Sequence, residues 1–291
     1  MYCLKNPLLN VRITSKGAEV QSLLNCSNGT EYLWQADPNF WGRHAPILFP
    51  IVGQIENNSY GIDGVEYRLT QHGFARDMEF NVIAENESSL LFELTSNLET
   101  KKVYPYDFIL HIGYRLISNK LEISYNVENT GTILLPFSIG AHPGFRVPLN
   151  VEEKFEDYYL EFEKEETLNR ILFEGGLLSG KYEKDYLKST KIIPLSHALF
   201  ENDALIFRGH ESNYISIKSK KSNRVLKVGI ADFPYLGIWS PPGKKAPFVC
   251  IEPWYGIADT RGAAKAFKEK EGRIILNKGE QFACHYSFEI I

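Results

Sequence analysis

The feature that most constrains this chain is a recurring two-residue period: Asn10 to Thr14 reads N-V-R-I-T, Leu121 to Val127 reads L-E-I-S-Y-N-V, and Tyr214 to Ile217 reads Y-I-S-I. Successive side chains of an extended strand point to opposite faces, so an apolar residue at every second position supplies one face to a core and one to water. Between these runs lie turn signals at Ile62-Asp63-Gly64-Val65, Ser118-Asn119-Lys120, Asn129-Thr130-Gly131 and Asn277-Lys278-Gly279, the first and last flanked by hydrophobic residues as hairpin turns require. Helical periodicity is scarce. Its best stretch, Gly262 to Lys268, has good formers over barely two turns and is expected to be a short helix. Sixteen Tyr and eighteen Phe against two Met suit pleated, half-buried surfaces. The pattern predicts an all-β fold, a large antiparallel β-sandwich with few short helices and a site on one concave face.

No Gly/Ser linker, charge run or fixed-period repeat divides the 291 residues, so residues 1–291 are read as one domain. The net charge of −4 is spread along the chain and offers no basic face to a phosphate backbone, which disfavours nucleic acid as a partner. The first ten residues lack a basic segment followed by a long apolar run, and no stretch approaches about 18 apolar residues. A cytoplasmic protein without membrane association is expected. Cys3, Cys26, Cys250 and Cys284 lie far apart with no C-x-x-C pair, and are read as buried thiols of a reducing compartment.

Three short segments set ionisable residues beside glycine and proline, where the backbone can aim a side chain. They are Gln71-His72-Gly73-Phe74-Ala75-Arg76, Gly140-Ala141-His142-Pro143-Gly144-Phe145, and Val249-Cys250-Ile251-Glu252-Pro253-Trp254. The residue before proline is pushed to extended geometry, which holds His142 and Glu252 at strand positions. A glutamate inside an almost wholly apolar run is unusual, because ionised carboxylates are rarely buried without a partner. Burial raises such a pKa toward the range useful to a general base near neutrality. His44, His111, His197, His210 and His285 are read as ordinary hydrogen-bonding residues of strands and loops. No H-x-E, H-x-x-H or H-E-x-x-H spacing supplies a metal site, so none is expected, and G-x-S-x-G and phosphate-loop motifs are also missing.

In order, Trp41-Gly42-Arg43-His44-Ala45-Pro46-Ile47-Leu48-Phe49-Pro50, His72-Gly73-Phe74-Ala75-Arg76, Gly140 to Phe145 and Ile251-Glu252-Pro253-Trp254 resemble the motifs of the aldose 1-epimerase, or galactose mutarotase, family. The resemblance spans nearly the whole chain and is closest to the bacterial branch that includes LacX-like proteins. It implies a large β-sandwich with an open sugar cleft and interconversion of the α and β anomers of an aldose hexose without a cofactor. Glu252 would be the general base and His142 the general acid, with His72, Arg43 and Asp203 lining a small-molecule sugar. Gln54 stands where galactose mutarotases commonly carry a second arginine. The H-G-F-A-R segment is shared with hexose-6-phosphate mutarotases, which makes Arg76, ahead of Arg43 and Arg146, the phosphate candidate. Trp34, Trp41, Trp239 and Trp254 could stack on a sugar or pack a core. A noncatalytic carbohydrate-binding protein on the same scaffold and a glycoside hydrolase are the competing classes; either a monomer or a homodimer fits.

Overall fold

The computed structural model describes residues 1–263 and 265–291. Strand accounts for 51% of the chain and helix for 8%, which settles the all-β class. The alternating runs form strands as expected. Leu9–Ile13 buries Leu9, Val11 and Ile13, and Lys120–Asn129 buries Leu121, Ile123, Tyr125 and Val127 while turning the residues between them outward or to half-buried positions. Two of the four turn signals close hairpins; Asn277-Lys278-Gly279 does not, because Ile274–Leu276 pairs with Leu135–Phe137 and not with Gln281–Ile290. Asp63 and Gly64 both adopt positive φ, 48° and 80°, the geometry of a two-residue hairpin that joins Ser59–Ile62 to Val65–Arg68. Ser118-Asn119 closes the hairpin of Phe108–Ile117 and Lys120–Asn129, with Ile117 opposite Lys120.

A 15-stranded antiparallel sheet dominates. Its path starts at Ile47–Leu48 and passes through Ile139–Ala141, Phe248–Tyr255, Tyr235–Trp239 and Leu205–Arg208 to the long Tyr158–Glu174 strand. It continues through Tyr214–Ser219, Val225–Gly229, Gln281–Ile290, Lys120–Asn129, Phe108–Ile117 and Ser89–Thr95 to Asn81–Glu85. The path curls until its ends face each other across a core. Phe49, just past the first strand, packs its ring 5.1 Å from that of Phe108, near the far end. Tyr158–Glu174 and Leu177–Pro194 form a long hairpin whose Gly175-Gly176 tip, at φ 62° and 83°, reaches back to the cavity described below.

Helix is where expectation and structure part. Among the described residues of the Gly262 to Lys268 stretch there is no α-helix, only the start of a 3₁₀ turn over Phe267–Glu269; Ala264 lies outside the described residues. Gly262 sits at φ +70°, outside helical space, and the buried Phe267 stacks on Tyr60 at 4.1 Å with the Arg273 guanidinium 4.3 Å above its ring. Those long-range contacts override a local preference that two turns cannot sustain alone. The α-helix instead spans Leu98–Val103, where Asn97 and Thr100 form a reciprocal cap. The cysteines also divide: Cys250 and Cys284 are buried, whereas Cys3 and Cys26 are exposed. No described helix is long and apolar enough to cross a membrane.

Phe49→Ala is expected to cost about 3–5 kcal/mol of stability in urea denaturation, because it opens a cavity where the two ends of the sheet meet. Val151→Ala, at a position 96% exposed, should stay within about 0.5 kcal/mol of the parent protein. Similar losses for the two would show that Phe49 does not join the sheet's ends.

Candidate active site

The site grows out of a strand register. On one side of Phe248–Tyr255, Ile139–Ala141 pairs Gly140 with Trp254, and Gly144–Arg146 pairs Gly144 with Cys250. The two short strands share one register, so His142, between them, stands opposite Glu252. The ladder breaks there because Pro143 and Pro253 carry no N–H to donate. Freed from pairing, the His142 backbone N–H donates to Pro46 O at 3.1 Å, and its imidazole Nε2 comes within 3.2 Å of Glu252 Oε2. Glu252 is 2% exposed and His142 8%. On the other side Gly237 of Tyr235–Trp239 faces Glu252.

The pair forms one wall of a cavity of about 370 Å³, within the range of small-molecule sites. Aromatic rings frame it: Trp41 stacks on the His142 imidazole at 4.8 Å, and Trp239 meets it edge-on at 5.4 Å. His72 lies 5.5 Å from His142, ring to ring, and its Nδ1 accepts the Gly53 N–H at 3.1 Å. That bond puts the proton of a neutral His72 on Nε2, leaving a donor for a ligand. His72 holds φ +67° and Gly73 φ +70°. At Gly73 a Cβ would lie 2.2 Å from Phe49 O, so only glycine permits the turn that delivers His72.

Of the expected site residues, Glu252, His142, His72 and Asp203 meet at this cavity. Arg43 does not reach its wall; its guanidinium pairs with Asp77 at 2.9 Å. Arg76 takes the wall position, with one amino group donating to Gln71 O at 2.6 Å and its buried Nε lacking a hydrogen-bond partner among the described residues. Gln54 and Arg146 do not line the cavity. Two of the other histidines have structural partners: His111 pairs with Glu93 at 3.0 Å, and His197 stacks on Phe155 at 4.2 Å. Phe173 and Gly176, at the tip of the long hairpin, and Val52 and Gly53 also line the cavity. Nothing in their local sequence marks them, since they reach it through the curl of the sheet.

Burial drives the electrostatics. It raises Glu252 well above the usual carboxylate range, with the nearby Asp203 charge adding to the rise. It lowers His142 to about 3, helped by the positive charges of Arg76 and Arg43, and lowers His72 well below its ordinary value. Both members of the contacting pair therefore favour their neutral forms at rest, with the proton on the carboxyl. A single proton moving across 3.2 Å converts this to carboxylate and imidazolium. The arrangement can thus take a proton from one oxygen of a ligand and give one to another. As for metal binding, His142, Cys250 and Glu252 each offer a ligand atom within 4.8 Å of the others. Burial pushes the Cys250 thiol well up, as a charge on Glu252 would further, so it is held protonated, and Cys250 is not part of the cavity wall.

The sequence model described as aldose 1-epimerase matches residues 1–289. Protein LacX, chromosomal, of Lactococcus lactis subsp. lactis is 35% identical over 280 residues, covering 92% of this chain and 91% of that protein. Among solved structures, a galactose mutarotase related enzyme from Lactobacillus acidophilus is 37% identical with a TM-score of 0.96, covering 100% of this chain and 97% of that one. A galactose mutarotase-like protein from Lactobacillus casei ATCC 334 is 34% identical with a TM-score of 0.94, each chain covered in full.

The two site histidines give a direct test of this electrostatic state. Burial disfavours the imidazolium, so the ¹⁵N shifts of His72 and His142 are expected to report neutral rings throughout about pH 5 to 8, where an ordinary histidine titrates. A midpoint near the ordinary 6.5 for either ring would mean that it is solvated and not held neutral by burial.

Proposed function

The chain belongs to the aldose 1-epimerase family, and from that premise we propose that it is a sugar mutarotase that interconverts the α and β anomers of an unphosphorylated aldose hexose. The observation that carries this reading is the Glu252–His142 pair, 3.2 Å apart on the wall of a sugar-sized cavity. Anomer exchange asks for little else. As carboxylate, Glu252 takes the proton of the C1 hydroxyl; as imidazolium, His142 gives one to the ring oxygen. The C1–O5 bond breaks while C1 and O1 form a carbonyl. Rotation about C1–C2 presents the other face of the aldehyde, and the same two groups return their protons as the ring closes.

Both transfers occur between oxygen and a positioned side chain, and no carbanion forms, so the chemistry calls for neither metal nor organic cofactor. The neutral His72 offers its Nε2–H and Asp203 a carboxylate to the sugar hydroxyls, directional contacts that fix the ring against the pair. Trp41 and Trp239 give the apolar face of a pyranose a surface to lie on. A protein that only bound sugar would have no use for a buried carboxyl sharing a proton with an imidazole, a costly arrangement to keep.

Glu252→Gln and His142→Asn are each expected to lower the mutarotation rate, followed by polarimetry on pure anomers of glucose and galactose, on the order of 10²-fold while the fold persists. Single variants retaining more than about a tenth of the parent rate would remove the acid/base assignment.

Arg76 supports a second reading, a hexose 6-phosphate as substrate, because its guanidinium is on the cavity wall with one unpartnered N–H. Against it, the Gln71 carbonyl already occupies an amino group, and the Asp77 carboxylate lies 3.8 Å away, offsetting the charge that a phosphate would seek. The free sugars are therefore expected to show the higher kcat/KM, and Arg76→Ala to lower it about equally for glucose and glucose 6-phosphate. A preference for the phosphates that disappears in Arg76→Ala would reverse the choice of substrate.

A further inference from the structure

The backbone of His142 hangs on a segment at one end of the large sheet. Ile47–Leu48 begins the sheet's path and pairs with Ile139–Ala141, Leu48 opposite Gly140 and Ile47 opposite Ala141. The residues before it carry the contact onward: the His142 N–H donates to Pro46 O at 3.1 Å and the Gly144 N–H to His44 O at 2.8 Å. Both ends of His142-Pro143-Gly144 therefore rest on two carbonyls of segment 44–46. A few residues earlier, the same stretch of chain sets Trp41 against the His142 ring, 4.8 Å away.

The N–H groups of that segment meet a mostly buried carboxyl. His44 N–H and Ala45 N–H both donate to Glu19 Oε1, at 3.0 and 2.9 Å. Two successive N–H groups converging on one oxygen form a concavity that grips an acceptor, and left empty they would be costly to bury. The ring of His44 is not part of this grip, its Nδ1 standing 4.0 Å from Glu19 Oε2. Glu19 is itself held still. It lies between Leu9–Ile13 and Val20–Asn25, and its backbone oxygen accepts the Thr14 N–H at 2.9 Å. The carbonyl of Ala18 accepts the Tyr114 hydroxyl from Phe108–Ile117 at 2.5 Å, and the Gly17 N–H donates to Met78 O at 2.7 Å. A chain of contacts thus runs from the far half of the sheet, through Glu19 and segment 44–46, to His142.

We propose that Glu19 is a positioning residue for the mutarotation assigned above, its side-chain oxygen fixing segment 44–46 so that the carbonyls of His44 and Pro46 hold His142 against Glu252. The inference rests on the mutarotase reading. Glu19 is not on the cavity wall, so it acts through backbone and not on the sugar. The 3.2 Å contact between His142 and Glu252 leaves little slack, and a misplacement of about 1 Å can cost on the order of 10²-fold in rate.

The test compares Glu19→Gln, whose amide oxygen still accepts both N–H groups, with Glu19→Met, which keeps the length of the side chain without an acceptor. Polarimetry gives kcat and KM for glucose and galactose. Inhibition by a 1,5-anhydrohexitol, which has no anomeric oxygen, reports sugar binding, and amide hydrogen exchange follows His142 and Gly144. Glu19→Met is expected to lose about tenfold or more in kcat, with anhydrohexitol affinity within about threefold. Its Gly144 and His142 amides should exchange about tenfold faster while those of Phe108–Ile117 keep parental rates. Glu19→Gln should recover kcat to within about threefold of the parent. Glu19→Asp, which draws the oxygen back by one methylene, should fall between the two and keeps the test open if Glu19→Met does not fold. On a parent that does mutarotate sugars, parental kcat in Glu19→Met or Glu19→Asp would overturn this proposal alone. So would an anhydrohexitol affinity that falls as far as kcat, which would make Glu19 a support of the whole cavity, or a Glu19→Gln no better than Glu19→Met. A parent protein inactive on every aldose would overturn the mutarotase reading and the role of Glu19 with it.

Discussion

A carboxyl group almost wholly removed from water and touching an imidazole is the constraint on which this structure depends. An isolated buried carboxylate would be strongly unfavourable, and Glu252 avoids that state by holding a proton that His142 can receive across 3.2 Å. The apolar strand makes Glu252 costly to ionise and so keeps the proton on the carboxyl at rest. Asp203 pushes in the same direction, and burial together with Arg76 and Arg43 disfavours the charged form of His142.

Holding that pair requires volume to be given up around it. Gly140, Gly144 and Gly237 surround Glu252 in the register, and a Cβ at any of them would run into an aromatic ring: Trp254 at Gly140 and Gly237, Trp41 at Gly144. Backbone with no side chains lets large rings close in on the carboxyl, which lowers the local dielectric and shapes the cavity together. The opposite wall is strapped in place from below. Asp259 accepts the Glu56 N–H at 3.0 Å and pairs with Lys270, while Arg273 donates to Ser138 Oγ at 2.7 Å. These contacts fasten the segment from Ile257 to Arg273 against the one that carries Val52 and Gly53, so that Ala258 and Gly53 stay on the cavity wall.

Much of this was legible in the chain. The two-residue period and the turn residues identify strands because both are local consequences of backbone geometry. Glu252 in its apolar run, and His142 and His72 beside glycine and proline, stand out because burial and restricted backbones leave compositional traces. Arg43 and Arg76 show where such traces stop. Both sit in short motifs next to site residues, and nothing local distinguishes the one that pairs with Asp77 from the one that reaches the cavity. The stretch from Gly262 fails as a helix for a related reason, since Tyr60 and Arg273, far away in sequence or beyond its end, decide how Phe267 is packed.

By itself, the sequence determined the strand class, the turns and the residue types able to exchange protons, because each follows from periodicity, from φ restriction or from the cost of burying charge. That His142 faces Glu252 depends on two short strands keeping one register across a double proline break. That the Trp254 indole can lie beside Glu252 depends on glycines from two neighbouring strands. Tertiary structure alone decided these, because side-chain proximity in a curled sheet is set by pairings between segments some 110 residues apart, and no local pattern encodes a distance of that kind.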